Sequence, residues 1–249
     1  MFLKNVWETV YTINKVINFN FIPIKEEGEF IMSQVNLKNN GQEIVVRNIL
    51  KEDLAEVAAL SMKCFGPDMA LKYEHFESQI ELFPEGQICL EYNGKIVGTA
   101  LSLIVNFEDY GDSHSYFQIC DLGFIRNHNP NGRNLYGIEI GVHEDFRGLQ
   151  LGRHLYDGRK RICEKLNLES ILVGGRIPFY YKYAEQMSAD EYALEVMKGK
   201  IYDPVLTFQM KNGYVLNKVM PGYLPGDVES LEYATLLEWK NPVYKLKLV

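Results

Sequence analysis

Along residues 138–142 the apolar side chains Ile138, Ile140 and Val142 alternate with Glu139 and Gly141, the two-residue period of a strand. Farther on, Leu151, Leu155, Ile162 and Leu166 recur on one face at helix spacing. The period changes between Arg147 and Gly152. A helix start leaves its first backbone N–H groups without partners and carries the positive end of the helix dipole, so a strand running straight into one presents converging donors to an anion. Upstream, residues 43–48 predict a strand and residues 51–60 a helix, whose acidic first turn (Glu52, Asp53) suits the dipole. A second helical pattern covers 73–82. Strands at 88–92 and 95–105 are joined by Asn93-Gly94, a strong hairpin signal because both residues tolerate positive φ. Downstream the pattern predicts a strand at 170–174, a second hairpin from 206–210 and 214–219 around Asn212-Gly213, and a last strand at 233–239.

The order Val142-x-x-x-x-Arg147-Gly148-x-x-x-Gly152 resembles the acetyl-coenzyme A signature of the GNAT acetyltransferases, Arg/Gln-x-x-Gly-x-Gly/Ala, at its first and last fixed positions. Gln150 stands where the family's middle glycine does, which questions close backbone approach there. Other phosphate motifs fit worse, with neither Gly-Lys-Ser/Thr nor a Gly-x-Gly-x-x-Gly after a strand. The whole order of elements over residues 43–240 is similar to that family's. Residues 174–188, 201–209 and 233–239 look like the acetyltransferase domain that some bacterial proteins carry fused to a carbon-nitrogen hydrolase (nitrilase-type) domain. The resemblance implies an α/β (mixed α+β) fold, a central and mostly antiparallel twisted sheet flanked by helices, with acetyl-CoA as co-substrate. It also implies that the strand before the signature splays from its neighbour, so that the main chain of Ile140, Gly141 and Val142 pairs with the pantetheine arm. The turn formed by Arg147, Gly148, Leu149, Gln150, Leu151, Gly152 and Arg153 would hold the pyrophosphate. On this reading residues 1–42 are an N-terminal extension and linker, 43–240 the domain, 176–203 an inserted lid segment, and 241–249 a tail.

With 249 residues and 47% hydrophobic content, the chain has the size of one well-buried domain. A net charge of −7 argues against a general nucleic-acid surface, which needs a basic field. Locally, Arg153, Arg159, Lys160, Arg161 and Lys165 cluster in the signature helix; the early members suit cofactor phosphates and the later ones a solvated face. Cys64, Cys89, Cys120 and Cys163 show no Cys-x-x-Cys spacing, which suits a reduced, cytoplasmic protein. The five histidines show no metal-ligand spacing, so no metal site is assigned, and His143 beside the turn reads as an exposed loop residue. No apolar run approaches the ~20 residues that span a bilayer. The apolar, aromatic residues 1–31 are interrupted by Lys4, Glu8 and Lys15 and lack a cleavage site, so they read as an added amphipathic helix or an upstream extension. Residues 25–29 and 36–41 read as polar linkers.

Acetyl transfer to an amine needs a neutral nucleophile, a polarised thioester carbonyl and a proton for the departing thiolate, and holding the reactants together is the protein's main contribution. Glu139, an acidic residue in an apolar strand, is the candidate general base, because burial raises a carboxyl pKa toward a useful value; a structural carboxylate paired with an Arg or Tyr is the alternative. The resemblance places a tyrosine acid at position 209, but the residue there is Gln209. Tyr180, Tyr181, Tyr183 and Tyr202 are the substitutes, Tyr181 first among them, although tyrosines usually pack as amphipathic aromatics. Ser188-Ala-Asp-Glu191 is a capping box, and Tyr192, Ala193, Val196 and Met197 give the following helix an apolar face closed by Gly199, the expected lid. Across from it, residues 106–134 form a long polar segment in which Glu108, Asp109 and Asp112 can attract a cationic amine. The expected activity is direct transfer of acetyl to a primary amine in a ternary complex. The expected partner is a small-molecule or protein amine acceptor, with no nucleic acid and no membrane, and a homodimer is admitted. The alternatives are a catalytically silent acyl-CoA-binding or sensor module acting through a partner, and a structural subunit.

Overall fold

The structure, a computed structural model, describes residues 35–39 and 41–246. Eight strands form one sheet: β1 (Val35–Asn39), β2 (Gln42–Asn48), β3 (Ile88–Tyr92), β4 (Lys95–Val105), β5 (Asn134–Val142), β6 (Ser170–Arg176), β7 (Val215–Met220) and β8 (Ala234–Lys240). Their spatial order is β1-β2-β3-β4-β5-β6-β8-β7, antiparallel throughout except for the parallel pair β5 and β6. The one parallel step follows from the crossover helix α4 (Leu151–Lys165), which returns the chain to the sheet between these strands. Helices α1 (Leu54–Phe65) and α2 (Tyr73–Leu82) join β2 to β3, with α1 and α4 both packed on β4 and β5. Accordingly β4 is buried at every position from Ile96 to Val105, a run that reads as continuously apolar because both faces are covered.

The hairpin at Asn93-Gly94 is present, with both residues at positive φ (52° and 76°). Three expectations are corrected. Residues 35–39 are not linker but strand β1, paired with β2, so the sheet begins before residue 43; residues 1–34 and 40 lie outside the described residues. Residues 206–210 are not a strand but most of helix α6 (Leu206–Lys211). The alternation of Leu206, Phe208 and Met210 mimics a strand, but Asp203 accepts hydrogen bonds from the N–H groups of Val205 and Leu206 and so nucleates a helical turn. Gly213, at φ +85°, then ends that helix with its N–H on the Met210 carbonyl, so Asn212-Gly213 is a helix stop rather than a hairpin turn. Finally, the later basic residues of α4 do not all lie on a solvated face: Arg159 is 1% exposed and sits beneath the sheet.

The capping box at Ser188 forms as read and starts α5 (Ala189–Met197), which Gly199 follows at φ +72°. Among the described residues no helix is long and apolar enough to cross a membrane.

Candidate active site

Strands β5 and β6 pair only from Asn134↔Ser170 to Gly137↔Val173. Beyond that rung β5 continues to Val142 against β4, and β6 continues to Arg176 against β8, so the two strands part. Between them opens a cleft of about 560 Å³, floored by Gly137, Ile138, Glu139 and Ile140 on one side and Val173, Gly174, Gly175 and Arg176 on the other. The edge of β5 that faces this gap has no strand to pair with, which leaves main-chain donors and acceptors for a ligand. Its last residues, Gly141 and Val142, carry the same edge toward the turn.

A β-bulge shapes this edge. Leu101 pairs with Glu139 and Ser102 with Gly137, so Ile138 is the extra residue and β5 bends there. Arg159 of α4 holds the bulge by donating to the carbonyls of Glu139 (2.6 Å) and Leu101 (3.0 Å) and to the Ser102 hydroxyl (3.1 Å). Its guanidinium occupies the space of a side chain at Gly137, where a Cβ would lie 2.5 Å from Nη1. On β6, Tyr223 and Gln209 likewise occupy the side-chain spaces of Gly174 and Gly175, and both line the cleft.

Glu139 lines this cleft and is 9% exposed. Its Oε1 has no hydrogen-bond partner among the described residues, while the Ser61 hydroxyl supports the carboxyl. Desolvation pushes its pKa up to about 8, against the opposing pull of the Arg159 charge and the Ser61 hydrogen bond. A carboxyl so placed changes charge near neutrality, as a proton acceptor for an amine must. Burial also pushes the neighbouring Cys64 thiol up to about 11, which leaves it protonated and inert.

Tyr181 is not at this site. It is 50% exposed, does not line the cleft, and lies beside Lys182, whose ammonium is 5.5 Å from its ring centroid. Tyr202 is exposed as well, and Tyr180 packs against Tyr192 and Tyr233. The phenols that do line the cleft are Tyr116, which opens the short helix α3 (Tyr116–Ile119) between β4 and β5, Tyr156 of α4, and Tyr223, from the loop between β7 and β8. The backbone N–H of Tyr116 donates to the Tyr223 carbonyl at 2.7 Å, joining the two loops over the gap. Tyr223 stands between Pro221-Gly222 and Pro225-Gly226, a doubly punctuated turn that is the one sequence signal able to mark it as a binding-loop residue. Helix α5 contributes no residue to the cleft and packs through Ala189, Tyr192, Ala193 and Val196 beside α6 and β7. Of the expected lid 176–203 only Arg176, at the end of β6, lines the cleft; the rest of this wall comes from Val205, Gln209 of α6, Tyr223, Leu224 and residues 226–229. There Arg176 is gripped by Asp227 and Glu229, which holds the Asp227 carboxyl below the ordinary range despite its burial. Glu108 is spent on an exposed ion pair with Arg133.

The turn after β5 is exposed from Arg147 to Gln150, outside the cleft proper. His143 is not free in its loop: its Nδ1 accepts the Asp145 N–H. Gly148 takes φ +84° and Gln150 φ +60°, and the chain enters α4 directly from Gln150. Gln150 thus adopts the left-handed backbone that a glycine would, so its side chain does not alter the course of the main chain. Among the described residues no protein acceptor takes the N–H groups of Gly148, Leu149 or Gln150, and those of Leu151 and Gly152 open a helix. Five successive donors at a positive helix end, with Arg147 and Arg153 beside them, make an anion cradle. Relieving the left-handed residue is worth about 1 kcal/mol, partly offset by the entropy of a new glycine. Gln150→Gly is therefore expected to melt within ~2 °C of the parent, which differential scanning calorimetry checks. No group of three or more His, Cys, Asp or Glu suited to a metal occurs among the described residues.

Residues 54–183 match the model of the acetyltransferase (GNAT) family. The chain is 46% identical over 211 residues to the probable hydrolase YhcX of Bacillus subtilis (strain 168), an alignment covering 85% of this chain and 41% of that protein. It therefore spans less than half the length of that relative. It is 39% identical over 206 residues to the uncharacterized N-acetyltransferase YkwB of the same organism, covering 81% of this chain and 91% of that protein. Among solved structures, the loading GNATL domain of CurA from Lyngbya majuscula superposes with a TM-score of 0.71 at 24% identity, covering 80% of this chain and 98% of the other. The GphF GNAT-like decarboxylase in complex with isobutyryl-CoA gives 0.69 at 19% identity, covering 79% and 98%. At these identities the likeness is one of fold.

Proposed function

Because the chain belongs to the acetyltransferase (GNAT) family, we propose that it transfers an acetyl group from acetyl-CoA to a primary amine by direct attack in a ternary complex. The observation that carries this reading is the parting of β5 from β6 at Gly137↔Val173, beside a turn rich in unpaired donors. An extended amide-bearing arm fits the open edge of Ile138 to Val142, and a pyrophosphate fits the N–H groups of residues 148–152. Binding there orients the thioester in the gap, which converts a bimolecular reaction into an effectively unimolecular one. Glu139, its Oε1 unpartnered and its pKa near 8, takes the proton that the amine loses as the C–N bond forms. The acceptor is a small-molecule or protein amine.

The test is thiol release from acetyl-CoA with a panel of primary amines: diamines, amino-acid amides and short peptides. At least one amine is expected to raise the rate over tenfold, with intersecting lines when both substrates are varied; release no faster than hydrolysis for every amine would contradict the reading. A Cβ at Gly152 already meets the Phe208 ring at 3.2 Å. Gly152→Leu should consequently crowd the cradle and weaken acetyl-CoA binding at least tenfold, about 1.4 kcal/mol by calorimetry, in a protein that still folds.

A second reading, an acyl-CoA-binding module that acts through a partner, is favoured by one observation. The YhcX relative is more than twice as long as the aligned part and is named a probable hydrolase. Tight acetyl-CoA binding with no amine-dependent thiol release would support it.

A further inference from the structure

The fold joins the cleft to a buried histidine through two phenols. Tyr223 lies flat on β6 at Gly174, the first residue past the last β5–β6 rung, with its Oη 2.3 Å from where a Cβ on Gly174 would be. That is the apex of the gap, where the open edge of β5 begins. From there the Tyr223 Oη reaches the Tyr136 Oη at 3.0 Å, and the Tyr136 Oη reaches the His114 Nε2 at 2.9 Å. The His114 Nδ1 faces the Gly111 carbonyl at 3.3 Å. Tyr223, Tyr136 and His114 are all buried, and of them only Tyr223 lines the cleft.

Polarity follows from the far end. A carbonyl only accepts, so Nδ1 carries a proton. In the neutral imidazole Nε2 accepts from Tyr136 and the string runs inward; a second proton on Nε2 reverses it, from His114 to Tyr136 to Tyr223, and leaves the Tyr223 hydroxyl proton for the cleft. We propose that His114 is a buried proton store, connected through Tyr136 to Tyr223, and that Tyr223 delivers this proton to the departing coenzyme A thiolate. The proposal rests on the acetyl-transfer reading. In the step, the C–S bond breaks and its electron pair leaves on sulfur. The Tyr223 O–H proton passes to that sulfur, the Tyr136 proton to the Tyr223 oxygen, and the His114 Nε2 proton to the Tyr136 oxygen. The amine's proton goes to Glu139, and a proton returning down the string after product departure restores His114. Burial raises both phenols, and the hydrogen bond from Tyr136 pulls Tyr223 back down, making the phenol at the cleft the better donor of the two.

The test uses the intact protein with acetyl-CoA and its best amine. Tyr223→Phe keeps the ring on Gly174 and is expected to lower kcat about 100-fold, with the acetyl-CoA Kd unchanged within twofold. Tyr136→Phe and His114→Phe keep the aromatic packing and should each lower kcat about tenfold. In mixtures of H2O and D2O the wild-type kcat should follow a curve, because several protons move together, and the Tyr136→Phe kcat a straight line. A Tyr223→Phe kcat within twofold of wild type, a parallel loss of acetyl-CoA affinity, or a straight line for the wild type overturns the relay. If Tyr223→Phe fails to fold by circular dichroism, Tyr136→Phe decides by the same readouts. An inactive wild type is a different result: it sinks the acetyl-transfer reading itself and the relay with it.

Discussion

Glu139→Gln is expected to give a slower enzyme and, in alkali, a more stable protein. The native carboxyl holds its proton up to about pH 8, whereas an ordinary one releases it near 4.5. Between those values the native state binds more protons than the unfolded chain, so the stability of the wild type falls as pH rises through that window and levels off above it. The gap amounts to on the order of 4 kcal/mol. Glutamine does not titrate. The variant should match the wild type near pH 4 and melt roughly 10 °C higher at pH 9. Turnover moves the other way: the wild-type rate should rise with pH as Glu139 ionises near pH 8, and the variant, which lacks that base, should fall about 100-fold below it there and by less at lower pH. Calorimetric melts and initial rates from pH 4 to 9 check both halves. Equal rates for the two proteins at every pH would make Glu139 structural.

Arg159→Leu is the second large effect. The substitution leaves the carbonyls of Leu101 and Glu139 and the Ser102 hydroxyl without their donor, inside the sheet and beneath the bulge. Stranding buried acceptors in this way costs on the order of 4 kcal/mol, or roughly 10 °C in melting temperature for a domain of this size. Because the bulge sets the direction of the β5 edge, acetyl-CoA affinity should fall in the same variant even below its melting range. A variant melting within ~2 °C of wild type would show that the bulge stands without its arginine.

The period change at residues 138–166, the Asn93-Gly94 hairpin and the Ser188 cap were legible because each is written within a few neighbouring residues. The course of the turn after β5 was legible too, since Gln150 takes the left-handed backbone of the glycine expected there. Helix α6 was misread because six residues are too few to separate a period of two from one of 3.6, and its true signal, the Asp203-Pro204 start, lay upstream. Arg159 was invisible for a different reason: a cation on a helix reads as solvated until the sheet supplies three acceptors from 20 to 58 residues away. Glu139 stood out as a charge in an apolar strand. Its companion Tyr223 did not, because it comes to the gap only through the pairing of β7 with β8 and the glycine left open for it at position 174.

The claim on which the rest depends is that an acyl-CoA lies along the unpaired edge of β5 and against the turn that follows it. Hydrogen exchange read by mass spectrometry, with and without saturating acetyl-CoA, measures this at the backbone groups concerned. Protection is expected in peptides covering residues 138–153, with little change in β1 to β3. Exchange in 138–153 that is the same with and without acetyl-CoA would contradict the account.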